Sequence, residues 1–445
     1  VMGSVLNVQS LWNKLLATSI GASAMMAVYS FFQIAGKVAI NQGGVRVDGT
    51  LGNASYLGIY MVFHIFFAGL LFFRFKELWQ RILLVVVTLM NITVLYFTAT
   101  RGAILGLFGG ALVTFAFLAL RSEKGQKIRK IAGIGVIVLV VFVGLFLAIK
   151  NTSYVKNSPV LSRFATLSFS EIKTQGRYFV WPMAMKGFIE KPIFGWGQEG
   201  FNFVFNKYYD PRMYNQEPWF DRAHNTPLDW LIAGGALGFL SYASIFFALL
   251  FYIFKSKEEN LTKNEKAVML GLISAYVFNN LFVFDQISSY ILFFTILAYI
   301  HSHASETQFA LWDKISIKLK GMFESEKTKP IIEAFVFIFL VAILYFIIYL
   351  PWQQNKNLLA VLSLNNEGKI GTIEEYTKPL SGYGMGFSEA LEHISQTAIN
   401  VATNQNASPE LKQKLFDTVD NAFKKHIARV PNDARYHIFY GTFLS

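Results

Sequence analysis

The segment LWQRILLVVVTLMNITVLYFTATRGAILGLFGGALVTFAFLALR, residues 78–121, decides the class of this chain. It holds two apolar runs, over 82–99 and 102–120, with Arg101 alone at the tight polar turn between them. Each run has the roughly 20 apolar residues needed to cross a hydrocarbon core about 30 Å thick. The pattern recurs, giving nine candidate spans at about 15–35, 54–73, 82–99, 102–120, 131–149, 227–254, 266–283, 287–300 and 331–350. Composition agrees: 53% of the 445 residues are hydrophobic and 15% are charged, against about 25% charged in soluble domains, and the mean hydropathy is +0.40. The expected fold is an all-α polytopic membrane protein with about nine transmembrane helices.

Orientation follows from the short loops. Lys14, the Arg74–Arg81 and Arg121–Lys130 clusters, the lysines from Lys255 to Lys266 and those from Lys314 to Lys329 fall on one side of nine alternating spans. The opposite short loops carry only Lys37, Arg46 and Arg101. Basic loops stay in the cytoplasm, so the loop over 150–226 and the tail over 351–445 are expected outside it. The net charge of +12 is thereby read as loop asymmetry, with no nucleic-acid partner called for. The absence of cysteine removes disulfides, thiolate metal sites and cysteine nucleophiles. The chain starts at Val1 and ends within a helical pattern, so further N-terminal spans and a longer tail are expected in the whole protein. The domain division is a membrane core over 1–350 and a small helical tail over 351–445. Within the tail, ASPELKQKLFDTVDNAFKKHIARVPNDARYHIFYGTFL (407–444) resembles a tetratricopeptide-type helix pair broken at proline-asparagine.

Polar residues within spans are His64, Asn91, Asn279 and Asn280, read as hydrogen-bonding glue between helices. No charge lies mid-span, which weakens any reading as an ion-coupled transporter. The informative polar groups sit at the outer ends. Arg101 occupies an outer turn on a side almost free of basic residues. QGRYFVWPMAMKGFIEKPIFGWGQEGF (175–201) sets Phe179, Met183 and Ile189 against Arg177, Lys186 and Lys191, a pattern for a short amphipathic helix at the membrane interface, ended by the KPIFGWG break. FDRAHNTPLDWL (220–231) supplies Asn225 as an N-cap, Thr226-Pro227 as a helix start and His224 beside them. An imidazole with an ordinary pKa near 6.5 suits general-base work. Arginines grip phosphate oxygens in a forked geometry. Arg101, Arg177 and His224 on one face therefore suffice for glycosyl transfer from a lipid diphosphate, with neither metal nor cofactor needed. Asp221 is placed to orient the imidazole, and Arg222 to add positive potential.

Four segments also carry a family resemblance: RVDGTLGNASYLGIY (46–60), TATRGA (98–103), GRYFVWPMAMKGFIEKPIFGWGQEGF (176–201) and RAHNTPLDWLIAGGALG (222–238). In this order they resemble the motifs of the bacterial O-antigen ligase and polymerase superfamily, which includes protein O-oligosaccharyltransferases. Ala99-Thr100 stands where the family usually has serine before the arginine, and Asn53-Ala54-Ser55 where it often has Asn-Pro-Asn. The resemblance implies a plasma-membrane enzyme facing the periplasm or cell exterior. Its donor would be an undecaprenyl-diphosphate-linked glycan, and its acceptor a glycan, lipid or protein. Arg101 and Arg177 would hold the diphosphate and His224 would activate the acceptor hydroxyl, with inversion and without a metal; Arg222 and Asn225 would assist substrate binding. The tail would dock an envelope protein. A transporter and an inert membrane scaffold are the readings from other classes.

Overall fold

The structure is a computed structural model that describes residues 6, 8–165, 176–214, 219–303, 328–381, 386–431 and 433–445. The described residues are helical or irregular, with no strand among them. Each expected span is a helix: α1 (Gln9–Ile34), α2 (Ala54–Arg74), α3 (Leu78–Phe97), α4 (Arg101–Arg121) and α5 (Lys127–Ile149). The long loop after α5 contributes α6 (Gly176–Glu190) and α7 (Phe201–Lys207) before α8 (Thr226–Lys255), α9 (Lys263–Asn280) and α10 (Ile287–His303). The last apolar span is part of α11 (Lys329–Asn366), which passes through a π-helical turn at Leu344–Tyr349. Seven of these helices, α1–α5, α8 and α11, are long and apolar enough to cross a membrane. The other two, α9 and α10, have 18 and 17 residues.

The chain divides into two compact units, Val1–Thr307 and Gln308–Ser445, so α11 belongs with the tail. In the first unit α9 is the central helix, with most of its side chains buried, Ala267 to Ile273 and Ala275 among them. It reaches the centre because α4 meets it with a row of small residues, Gly102, Gly106, Gly110 and Thr114, opposite Gly271, Ala275 and Asn279. A Cβ on Gly106 would lie 2.8 Å from the Ala275 carbonyl oxygen, and one on Gly110 closer still to Gly271. Backbones that approach this far exchange dispersion and short hydrogen bonds, the main attraction between helices in lipid; Thr114 Oγ1 donates to Ala267 O at 3.2 Å. By contrast α5 buries only Ala132.

The polar residues within spans are largely the expected glue. His64 Nε2 on α2 lies 2.8 Å from Ser19 Oγ on α1, and Asn91 Nδ2 on α3 donates to Ser23 Oγ at 3.0 Å. One end of the bundle is closed by a buried ion pair, Arg74 Nε to Glu265 Oε1 at 2.6 Å, with both side chains under a tenth exposed. Glu265 Oε2 also completes the capping box of α9 by accepting from Thr262 N at 2.8 Å.

In the second unit, α12 (Phe387–Thr403), α13 (Pro409–Arg429) and α14 (Ala434–Leu444) pack around Leu391, Ile394, Val419 and Phe423. α13 ends at Arg429, two residues before Pro431, and α14 starts at Ala434. Glu392 ties α12 to α14 through Arg435 at 2.7 Å and Tyr436 at 3.1 Å.

Candidate active site

The polar segments singled out in the sequence meet on the C-terminal end of α9 and the turn after it, residues 279–285. Three elements arrive there. Gly102, next to Arg101 at the start of α4, is so close that a Cβ would lie 3.2 Å from Asn279 Oδ1. The start of α8 is pinned by Asn225 Nδ2 to Leu281 O at 3.0 Å and Thr226 Oγ1 to Val283 O at 3.0 Å. From α6, the Trp181 ring lies 6.2 Å from that of Phe282. Asn225 acts at both ends of its amide, since its Oδ1 also caps α8 by accepting from Leu228 N at 3.1 Å. The cap residue therefore holds α8 to the bundle as well as starting it.

His224 precedes this cap with φ at +51°, a left-handed conformation costly for a residue with a Cβ. Its neighbours hold it there: Ala223 N donates to Asp229 Oδ1 at 2.7 Å, and Ala223 O accepts from Trp181 Nε1 at 3.1 Å. Arg177 lies one helical turn before Trp181, on the same face of α6. The single hydrogen bond from Trp181 thus ties the arginine-bearing helix to the residue beside His224. The imidazole lies between Phe220 and Phe284, with ring centres at 5.5 and 5.1 Å. Burial, followed by the nearby charge of Arg177, lowers its pKa to about 4, so the ring is neutral at pH 7. A neutral imidazole beside a guanidinium can take a proton while an anion is held next to it. No hydrogen bond joins Asp221 to His224 among the described residues. Asp221 instead faces Arg222 at 3.9 Å, and Arg222 pairs with Glu199 at 2.7 Å while its guanidinium lies over Phe284 at 5.0 Å.

Arg101 begins α4, where a cation opposes the positive end of the helix dipole. The turn before it is strained, with Ala99 at φ +49°, and a third arginine braces it. Arg46 Nε donates to Thr98 O at 2.9 Å and its Nη2 to Thr100 Oγ1 at 3.0 Å. Burial, with the charges of Arg163 and Arg101 close by, lowers Arg46 to about 10. Two motifs far apart in sequence, RVDGT and TATRGA, therefore build one turn. Next to Arg46, Asp48 is fully buried and accepts from Gln33 Nε2 at 2.7 Å and Gln42 N at 2.8 Å.

The KPIFGWG segment is more than a break. α8 is interrupted at Gly235, φ +61° and ψ −156°, and the carbonyls freed before it accept from Trp196 N, at Ile232 O, 2.7 Å, and Gly197 N, at Ala233 O, 3.1 Å. In return Ala236 N donates to Pro192 O at 2.7 Å. Gly195 and Gly235 face each other so closely that a Cβ on Gly195 would lie 2.6 Å from Gly235 N. On its other side α6 buries Val180, Met183, Ala184 and Gly187 against Phe201, Val204 and Phe205. The buried face differs from the expected apolar set, since Ile189 is 70% exposed.

Residues 84–243 match the sequence model of the O-antigen ligase family. The matched stretch covers α3 to the first half of α8, and with it Arg101, Arg177, Arg222, His224 and Asn225. It supports placement in the O-antigen ligase superfamily and an O-antigen ligase or polymerase type of membrane glycosyltransferase. No curated protein matches the chain. Arg46 lies outside the matched stretch, as do Phe284 and Asp285. Sequence reading gave Phe284 and Asp285 no role in the site, because one aromatic and one acid in a short interhelical turn carry no periodic signal.

Proposed function

We propose that the chain transfers a glycan from an undecaprenyl-diphosphate-linked donor to an acceptor hydroxyl on the extracytoplasmic face of the bacterial plasma membrane. The reading rests on one observation above all: Arg177 and a neutral His224 come together across the Trp181–Ala223 hydrogen bond, within the stretch matching the ligase family. His224 takes the proton of the acceptor hydroxyl. The acceptor oxygen forms a bond to the anomeric carbon as the bond from that carbon to the phosphate oxygen breaks, with inversion. Undecaprenyl diphosphate leaves, and Arg177 and Arg101 stabilise the negative charge that develops on it. These groups carry the transfer without requiring a metal. Arg222 and Asn225 shape the site from behind, Arg222 through Phe284 and Asn225 by fixing the start of α8.

The outward orientation is supported by the basic residues at the opposite end of the first unit, including Arg74, Arg81 and Arg121. The tail is read as a tetratricopeptide-like module that docks an envelope protein. The test is surface-glycan transfer by Arg177→Ala and His224→Ala variants shown to be inserted and folded. Both are expected to lose transfer, and full transfer by either would overturn the proposal. Mass spectrometry of what accumulates without the protein assigns the acceptor: bare lipid core for a ligase, single repeat units for a polymerase, unmodified protein for an oligosaccharyltransferase.

A further inference from the structure

Across Phe284 from His224, between the segment after KPIFGWG and the first turns of α8, lies a cavity of about 170 Å³. Its lining includes Glu199, Asp221, Asp229 and Asp285, the aromatic rings of Trp230, Phe284 and Tyr290, and the single cation Arg222. Neither Arg101 nor Arg177 lines it, and Phe284 is the shared wall, since its ring also contacts His224 at 5.1 Å. Electrostatics therefore sorts the two sides of the imidazole. The arginine side attracts a diphosphate, and the carboxylate side repels one, because Glu199 and Asp221 outnumber Arg222.

The cavity is also built to hold something. Its walls are joined by the backbone hydrogen bonds of Trp196 and Gly197 to α8. Trp230 is set in place by stacking on Tyr242, with centres 5.4 Å apart and planes at 18°. Asp285 is occupied by Tyr276, Asn280 and Ser289 at 2.7 to 2.9 Å. Asp229 spends one oxygen on Ala223 N, while its buried Oδ2 has no hydrogen-bond partner among the described residues. Such a buried acceptor calls for a donor. Aromatic faces for the C–H surface of a ring, with carboxylates for its hydroxyl donors, form the chemistry that recognises a sugar.

We infer that this cavity is the acceptor subsite, taking a pyranose that is uncharged or carries an amine and presenting one of its hydroxyls to His224. This rests on the transferase reading above and sharpens it, since it selects a sugar over a protein hydroxyl as acceptor. Acidic sugars are excluded by the same carboxylates.

The test uses the full chain in nanodiscs, titrated separately with methyl glucoside, methyl glucosaminide, methyl glucuronide and inorganic pyrophosphate, with binding read by saturation-transfer NMR. The first two sugars are expected to bind and the glucuronide not. Asp229→Asn and Trp230→Leu should each weaken sugar binding at least tenfold and leave pyrophosphate binding unchanged, whereas Arg177→Gln should weaken pyrophosphate binding and leave the sugars unchanged. Trp230→Phe, which keeps a stacking ring, should restore most sugar binding and so separates recognition from folding. Sugar binding unaffected by Asp229→Asn and Trp230→Leu, or glucuronide bound as well as glucoside, overturns the acceptor assignment. Pyrophosphate binding indifferent to Arg177 overturns the donor reading instead.

Discussion

At the scale of single residues, His224 combines backbone strain with a displaced proton affinity, and each makes a prediction. Replacing it with alanine or glycine removes the base, and either variant should lose transfer by about 10²–10⁴-fold, the usual worth of a general base. Their stabilities should differ in the reverse of the helical order. At φ +51° glycine bears no penalty and alanine does, so His224→Gly should be more stable than His224→Ala by about 1 kcal/mol in thermal unfolding. The pH dependence follows from a folded pKa near 4 against an ordinary 6.5. The base is active in its neutral form, so the acid limb of kcat/KM should fall near pH 4, and a limb near 6.5 would contradict the buried setting. The same shift acts on stability. Between pH 6.5 and 4 the unfolded chain binds a proton that folded His224 does not, so this group makes the fold less stable as pH falls through that window. Because Arg177 adds to burial in lowering the pKa, Arg177→Gln should move the His224 titration, followed by NMR of the imidazole, upward, though not fully to 6.5, burial being the larger cause.

At the scale of elements, the site depends on two places where backbones touch. Gly235→Ala would add a Cβ against the Ile193 carbonyl at a residue with positive φ. The expected result is loss of the bonds from Trp196 and Gly197 to α8, read as faster amide exchange at those two residues, with α8 still helical on either side. Gly110→Leu would part α4 from α9, and thermal stability should drop by several kcal/mol, as expected for overpacking at a close backbone contact. The helices themselves were legible because apolar length is a strong signal. Their partners were not. The row Gly102, Gly106, Gly110 reads as four-residue spacing on one apolar helix, and nothing in that spacing names Gly271 and Ala275, some 160 residues later, as the opposing surface. KPIFGWG was likewise recognisable as a break, but a break in sequence does not reveal that its amides fill the gap left by Gly235.

For the whole molecule, the buried pair Arg74–Glu265 lies away from the catalytic candidates, at the other end of the first unit. Glu265→Ala should lower stability by about 3–5 kcal/mol, the cost of leaving one buried charge alone, while the folded fraction keeps its kcat/KM. The tail has its own core around Leu391 and Phe423. Deleting residues 353–445 should accordingly leave partial transfer if the first unit is the enzyme; complete loss with the first unit still folded would favour the scaffold reading, in which only recruitment matters.

The sequence by itself determined the class and the spans, and it singled out Arg101, Arg177 and His224 as polar groups worth attention. These are properties of composition and period, which act locally and survive without knowledge of contacts. Only the tertiary structure decided that residues 279–285 form the common floor, that Arg46 braces the Arg101 turn, and that Asp221 faces Arg222 with no hydrogen bond to His224 among the described residues. It also set an acidic, aromatic cavity behind Phe284, the ring that contacts the imidazole. The reason is physical: in an apolar bundle many helix pairings bury similar surface, so the choice among them rests on a few close backbone approaches and hydrogen bonds between residues far apart in the chain. FDRAHNTPLDWL contains His224, but its lowered proton affinity comes from burial beside Phe220 and Phe284 and from the charge of Arg177.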